Sequence, residues 1–195
     1  MDFNTQIVSE YNSLLQQYVG NNIELWLGRM PLLVTLAHFT WEEKAYTTPL
    51  HKHAHYELSC MCRQSMFYQE GGAGKVHLLS EPNLRGVLIP PWFEHRRFSQ
   101  ADDAVIFGFA VRFSPDSHLA RALAERIHIL SGQPTAALVA EFWQMLSSPE
   151  RFKAEQLRWL LTGILLKLFT ENYPNLLGET PLTVPKTNAM EAVDI

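Results

Sequence analysis

Two cysteines in 195 residues are too few for a disulfide framework. Cys60 and Cys62 lie two apart on an expected strand, where neighbours on one face cannot readily form a bridge. Reduced thiols in a cytoplasmic protein are therefore expected. The chain has no run of about 18 apolar residues, which removes a transmembrane helix from the expectations and with it a membrane partner. Its start, Met1-Asp2-Phe3-Asn4-Thr5-Gln6, is polar and acidic, unlike a secretory signal. Excess positive charge is missing too. Sixteen Lys and Arg stand against 20 Asp and Glu, a net charge of -4, whereas a free-standing nucleic-acid binder is usually basic. There is no Gly-x-Ser-x-Gly elbow for a serine hydrolase. Gly71-Gly72-Ala73-Gly74-Lys75 lacks both P-loop spacing and the following Ser or Thr, and reads as a hairpin turn. With 47% hydrophobic and 18% charged residues, what remains is an ordinary globular chain of one or two domains that can bury a core.

The order of elements is helix, strands, helices. Residues 3–19 carry Ile7, Tyr11, Leu14, Leu15 and Tyr18 at helical spacing, stopped by Gly20-Asn21-Asn22. Short apolar or alternating runs follow at 32–39, 56–62, 65–69, 75–79, 86–89 and 104–113, separated by turn signals at 70–74, 81–83 and 101–103. Many short strands at such spacing indicate a sandwich or barrel. After Ser114-Pro115-Asp116 the pattern predicts a helix to about Leu130, a second over Thr135 to Leu146, and a third from near Ser148-Pro149-Glu150 to about Tyr173. The third carries a wide apolar stripe, Leu157, Leu160, Leu161, Ile164, Leu165, Leu168 and Phe169. That stripe must be buried on the barrel, on the second helix or on another copy of the chain. The tail from about Asn175 reads as a linker. Ala189 to Ile195 looks like the first turns of a helix cut short, so a further domain is expected beyond it.

The chemistry is concentrated in Leu50-His51-Lys52-His53-Ala54-His55-Tyr56-Glu57-Leu58. Read as a strand, it points His51, His53, His55 and Glu57 to one face. His95 arrives after the turn-rich Ile89-Pro90-Pro91-Trp92-Phe93-Glu94. His51, His53, Glu57 and His95 form a candidate metal set of three imidazoles and one carboxylate, suited to Fe, Mn, Ni or Zn. The same residues could instead hydrogen-bond an organic ligand or simply fill a barrel mouth with satisfied polar groups. His55 is read as a rim residue. Trp41, Tyr46, Tyr56, Phe67, Trp92, Phe93 and Phe98 are near the cluster in sequence, and Trp92 beside His95 is the best single candidate for ligand contact. His77, His118 and His128 are read as surface or helix residues.

The segments His51 to Leu58 and Val87-Leu88-Ile89-Pro90-Pro91-Trp92-Phe93-Glu94-His95 resemble the two motifs of a cupin barrel. Their Tyr-Glu-Leu and Ile-Pro-Pro flavour resembles the N-terminal effector-binding domain of AraC-type transcription regulators, as does Val111-Arg112-Phe113-Ser114-Pro115. Two positions depart from the general cupin pattern: Gln64 and Trp92 stand where it has glycine. The resemblance implies a mainly β fold with C-terminal helices, a cupin-like double-stranded β-helix or jelly-roll barrel followed by a helical dimerisation segment. The implied divisions are an N-terminal helix or arm over 1–22, the barrel over 23–114, the helical segment over 115–175, and a linker over 176–195 toward an absent DNA-binding domain. Such a chain would sense a small-molecule effector, a sugar or other metabolite, through His51, His53, Glu57, Trp92 and His95. It would act as a homodimer, meet DNA only through the absent domain, and carry no catalytic residues. The alternative is a small metal-dependent cupin enzyme, a dioxygenase or isomerase, using His51, His53, Glu57 and His95 as ligands.

Overall fold

The structure is a computed structural model and describes residues 5–27, 30–80, 85–100, 102–114, 116–131, 133–148 and 153–175. The expected linker over 176–195, its helix-like end and the turn at Glu81-Pro82-Asn83 lie outside the described residues. Helix α1 (Thr5–Tyr18) precedes nine strands: β1 (Ile23–Leu27), β2 (Met30–Glu42), β3 (Tyr46–Thr47), β4 (Tyr56–Arg63), β5 (Ser65–Glu70), β6 (Val76–Ser80), β7 (Arg85–Ile89), β8 (His95–Ser99) and β9 (Ala104–Phe113). Then come α2 (His118–Ala122), β10 (His128–Ser131), α3 (Gln133–Ser147) and α4 (Lys153–Asn172).

The strands form a six-stranded sheet in the order β1-β2-β9-β4-β7-β10 and a four-stranded sheet in the order β3-β8-β5-β6. From β2 to β9 the chain changes sheet at every step except β5 to β6, which are joined by the hairpin at Gly71 to Gly74. This interleaving makes a jelly roll. The two sheets face each other as an open sandwich, not a continuously hydrogen-bonded barrel. Met66, Tyr68, Leu79, Val87, Ile89, Ala104 and Ile106 pack between them.

The larger core lies on the outside of the six-stranded sheet. There Leu58, Cys60, Leu88, Phe107, Phe109 and Val111 meet α1, α3 and α4 in one apolar cluster. This explains why β9 is buried at every residue from Ala104 to Val111: one face meets the opposite sheet and the other meets helices. The expected stripe on α4 is real. Leu157, Leu161, Ile164, Leu165, Leu168 and Phe169 are all fully buried and Leu160 partly, each fully buried side chain worth roughly 1.5–3 kcal/mol over exposure. Most of the stripe is therefore consumed within the chain. Helix α1 covers the rest of the β2 edge. β1 covers β2 only as far as Val34. Beyond it, the Asn12 side chain accepts from Phe39 N–H (2.7 Å) and donates to Phe39 C=O (2.9 Å), satisfying backbone groups that an edge would leave open.

The helix expected from Asp116 to Leu130 is largely a different element. α2 ends at Ala122, and β10 pairs antiparallel with β7, His128 opposite Leu88 and Ser131 opposite Arg85. Leu119, Leu123, Ile127 and Leu130 are buried and spaced as in a helix. The free edge of β7 nevertheless takes the backbone groups of 128–131, and burial there alternates as a strand's does.

Candidate functional site

The structure brings His51, His53, Glu57 and His95 together, with one donor atom from each lying within 4.8 Å of all the others. They do not converge by strand alternation. β4 begins only at Tyr56, and His51 sits before it, forming an isolated antiparallel bridge with His95 at the start of β8. Reciprocal backbone hydrogen bonds of 2.9 Å join that pair. His51 and His95 therefore belong to one sheet and Glu57 to the other. The loop through His53 carries the chain across the gap, and the two halves of the cluster face each other inside the mouth of the jelly roll.

Glu57 is the hub. Its Oε2 lies 2.9 Å from His53 Nε2 and 3.3 Å from His95 Nε2, and its Oε1 accepts from Ser59 Oγ at 3.0 Å. Burial alone would raise its pKa. The hydrogen bonds from His53 and His95, with the charges of His95 and Arg97, outweigh burial and hold the carboxyl well below the usual carboxylate range. Two of the rings are oriented from behind by carbonyls two residues upstream: His51 Nδ1 lies 2.8 Å from Pro49 O, and His95 Nδ1 lies 2.9 Å from Phe93 O. Such contacts fix a proton on Nδ1 and turn Nε2 toward the centre. His95, 1% exposed, thus meets an acceptor at each nitrogen. A neutral ring satisfies only one of them; a second proton, or a metal cation between Nε2 and the carboxylate, satisfies both. Three imidazoles and a carboxylate are the donor types that would hold a divalent ion here.

Further into the sandwich the polar lining continues through residues the sequence reading did not single out. Arg97, two along β8 from His95, lies 3.7 Å from Glu42 Oε1 and 5.6 Å from the Tyr46 ring centroid. His38 of β2 lies over Gly108, where any side chain would collide with the imidazole: an added Cβ would come within 2.8 Å of it. Tyr68 is fully buried. Among the described residues, Arg97 Nε, His38 Nδ1 and the Tyr68 hydroxyl are buried without a hydrogen-bond partner of good geometry, the last beside Ser59. Strand parity from His95 and Glu57 would have pointed to Arg97 and Ser59. Nothing in the sequence singled out His38.

Trp92 joins the site through its backbone. Its N–H donates to His53 C=O at 2.6 Å, while the indole is 66% exposed. Pro90 to Phe93 form a turn, closed by Phe93 N–H to Pro90 C=O, that places Trp92 at φ 62. Gln64, between β4 and β5, sits at φ 67. Both departures from the cupin glycine pattern therefore occupy left-handed backbone positions that favour glycine. His55 stacks on His53, with centroids 4.9 Å apart and planes at 13°. His118 is exposed as expected, but His77 and His128 are buried, His77 Nε2 lying 2.6 Å from Glu70 Oε1. Cys60 is a free, buried thiol pushed up to about 12 by its burial.

No family model matches the sequence, and no curated protein matches it. Among solved structures, an apo ToxT variant from Vibrio cholerae aligns over 74% of this chain and 58% of its own, at 9% identity and a TM-score of 0.50. ToxT bound to an unsaturated fatty acid aligns over 77% of this chain and 56% of its own, at 10% identity and a TM-score of 0.47. A cupin-like protein from Thermotoga maritima aligns over 49% of this chain and 86% of its own, at 19% identity and a TM-score of 0.34. The chain spans little more than half the length of the ToxT chains it matches. The likeness shows the fold: mainly β, a cupin-like jelly roll with helices after it. Among the described residues, no helix is long and apolar enough to cross a membrane.

Proposed function

We propose that this chain is the ligand-sensing domain of an AraC-type transcription regulator, taking a small metabolite between its two sheets and passing the signal to a DNA-binding part outside this chain. The observation that carries the reading is the trio of buried polar atoms, Arg97 Nε, His38 Nδ1 and the Tyr68 hydroxyl, left without partners of good geometry on the inner face. Leaving such a group unsatisfied costs about 1–3 kcal/mol. A ligand bearing oxygen acceptors, a sugar or an organic acid, would relieve that cost. Arg97 Nε can only donate, so the ligand must accept there. The shared fold agrees with the reading, since ToxT is an AraC-family regulator. Signalling requires that the ligand bind one arrangement of the domain more tightly than another. In this reading the chain works as a homodimer. With the α4 stripe buried, Trp159, 85% exposed on the same helix, is an apolar group available for that contact, and light scattering should return twice the monomer mass.

Thermal unfolding against a panel of pentoses, hexoses, dicarboxylates and aromatic acids tests the sensor. A true effector at a hundredfold its Kd adds about 2.7 kcal/mol, and Arg97→Met should abolish the gain. A panel with no stabilising compound, or a gain that survives Arg97→Met, would count against it.

A metal-dependent enzyme is the second reading, favoured by the two acceptors facing His95. His51, His53, Glu57 and His95 would hold the ion, which would supply Lewis acidity to a bound substrate. Elemental analysis of protein purified without chelator separates the readings. Stoichiometric Fe, Mn, Ni or Zn, lost in His53→Ala, supports the enzyme, and metal-free protein stabilised by a metabolite supports the sensor.

A further inference from the structure

A cavity of about 540 Å³ opens outside the sandwich, where the loop before β4, the end of β9 and α2 meet. Its floor is apolar: Tyr56, Phe113 and Ala120, with the Tyr56 and Phe113 rings edge-on at 4.9 Å. The Tyr56 hydroxyl donates to Ala120 C=O at 3.0 Å, which closes that floor and fixes α2 to β4. The walls carry Arg112 from β9, Arg121 from α2 and the His55 ring. Both arginines are exposed, and neither enters any ion pair among the described residues. Among the described residues, no carboxylate lines the cavity.

Two guanidinium groups without counter-charge over an aromatic and alanine floor are built for an amphipathic oxyanion. The planar fork of arginine matches a carboxylate or phosphate in two-point contact, and the floor takes an apolar body. The volume falls within the range of small-ligand sites.

We propose that this cleft is a binding site for a small organic anion, a carboxylate or phosphate ester on an apolar body, held between Arg112 and Arg121 and separate from the polar inner face between the sheets. The placement gives the site a consequence. Arg112 belongs to the jelly roll and Arg121 to the first helix after it, so an anion gripped by both clamps α2 onto the sheet. Pro91, on the turn that leads to His95, lines the same cleft.

Isothermal titration calorimetry on the whole chain tests this with hydrocinnamate, hydrocinnamyl alcohol, phenyl phosphate and inorganic phosphate. Saturable binding of hydrocinnamate or phenyl phosphate is expected, the tighter of the two identifying the head group. Arg112→Gln and Arg121→Gln, both exposed and expected to leave thermal unfolding unchanged, should each weaken it about tenfold. Arg97→Met, on the inner face, should leave it intact. The proposal is overturned if neither organic anion binds, or if the alcohol or inorganic phosphate binds as tightly. It is also overturned if the two glutamine variants bind like wild type, or if Arg97→Met alone loses binding, which would move the site to the inner face.

Discussion

Replacing Glu57 with alanine should be among the most damaging single changes in this chain, while glutamine at the same position should cost far less. The carboxylate accepts from His53 at 2.9 Å, from His95 at 3.3 Å and from Ser59 at 3.0 Å. Its side chain is 15% exposed and that of His95 1%, so solvent cannot replace these contacts. Alanine leaves His95 and Ser59 unsatisfied at about 1–3 kcal/mol each and opens a cavity. Breaking a buried pair by removing one partner typically costs about 3–5 kcal/mol. Glutamine keeps the volume. Its carbonyl can face Ser59, and its amide can donate to the Nε2 lone pair of a neutral His95 whose other nitrogen is held by Phe93 C=O. A loss of about 1–2 kcal/mol is therefore expected for glutamine. Urea unfolding of metal-free protein reads both. With m near 2 kcal/mol/M, alanine should lower the midpoint by about 2 M and glutamine by less than about 1 M. An alanine variant within about 1 kcal/mol of wild type would refute the hub role of Glu57. Glutamine as damaging as alanine would refute the tautomer assigned to His95.

Gln64→Gly should stabilise the protein by about 0.5–1 kcal/mol in urea unfolding, because relief of the left-handed backbone exceeds the entropy glycine adds to the unfolded chain. Gly108→Ala should cost about 1–3 kcal/mol by driving a methyl into the His38 ring, and His38→Ala in the same chain should recover most of the loss. Burial lowers the His38 pKa from its ordinary 6.5, with Glu57 opposing. The fold thus favours the neutral ring, and its contribution is complete above pH 6.5 and is lost as pH falls through the depressed value. Stability measured from pH 7.5 to 5 should fall less steeply in His38→Gln than in wild type. Equal slopes would show that His38 does not contribute.

Alternation made six strands legible because each has an apolar face. β8 is not, since it turns His95 and Arg97 inward, toward the site. That polarity is the functional signal and also what disguises the strand. β10 reads as helix because Leu119, Leu123, Ile127 and Leu130 keep helical spacing across a break that only the edge of β7 explains. The four cluster residues were found for a reason that holds only in part. Glu57 is on a strand, but His51 and His53 reach it through a loop and a bridge to the opposite sheet, which no local pattern encodes. His77 and His128 looked solitary because their partners, Glu70 and the ring of Tyr173 at 5.8 Å, come from other elements.

The central claim is that the inner face carries polar groups awaiting a ligand, and the Tyr68 hydroxyl tests it most directly. Urea unfolding of ligand-free Tyr68→Phe should show stability equal to wild type or higher by about 1 kcal/mol, since the lost hydroxyl meets Ser59 only in poor geometry. A loss of more than about 1 kcal/mol would mean that the hydroxyl is already satisfied within the fold, and would contradict the account.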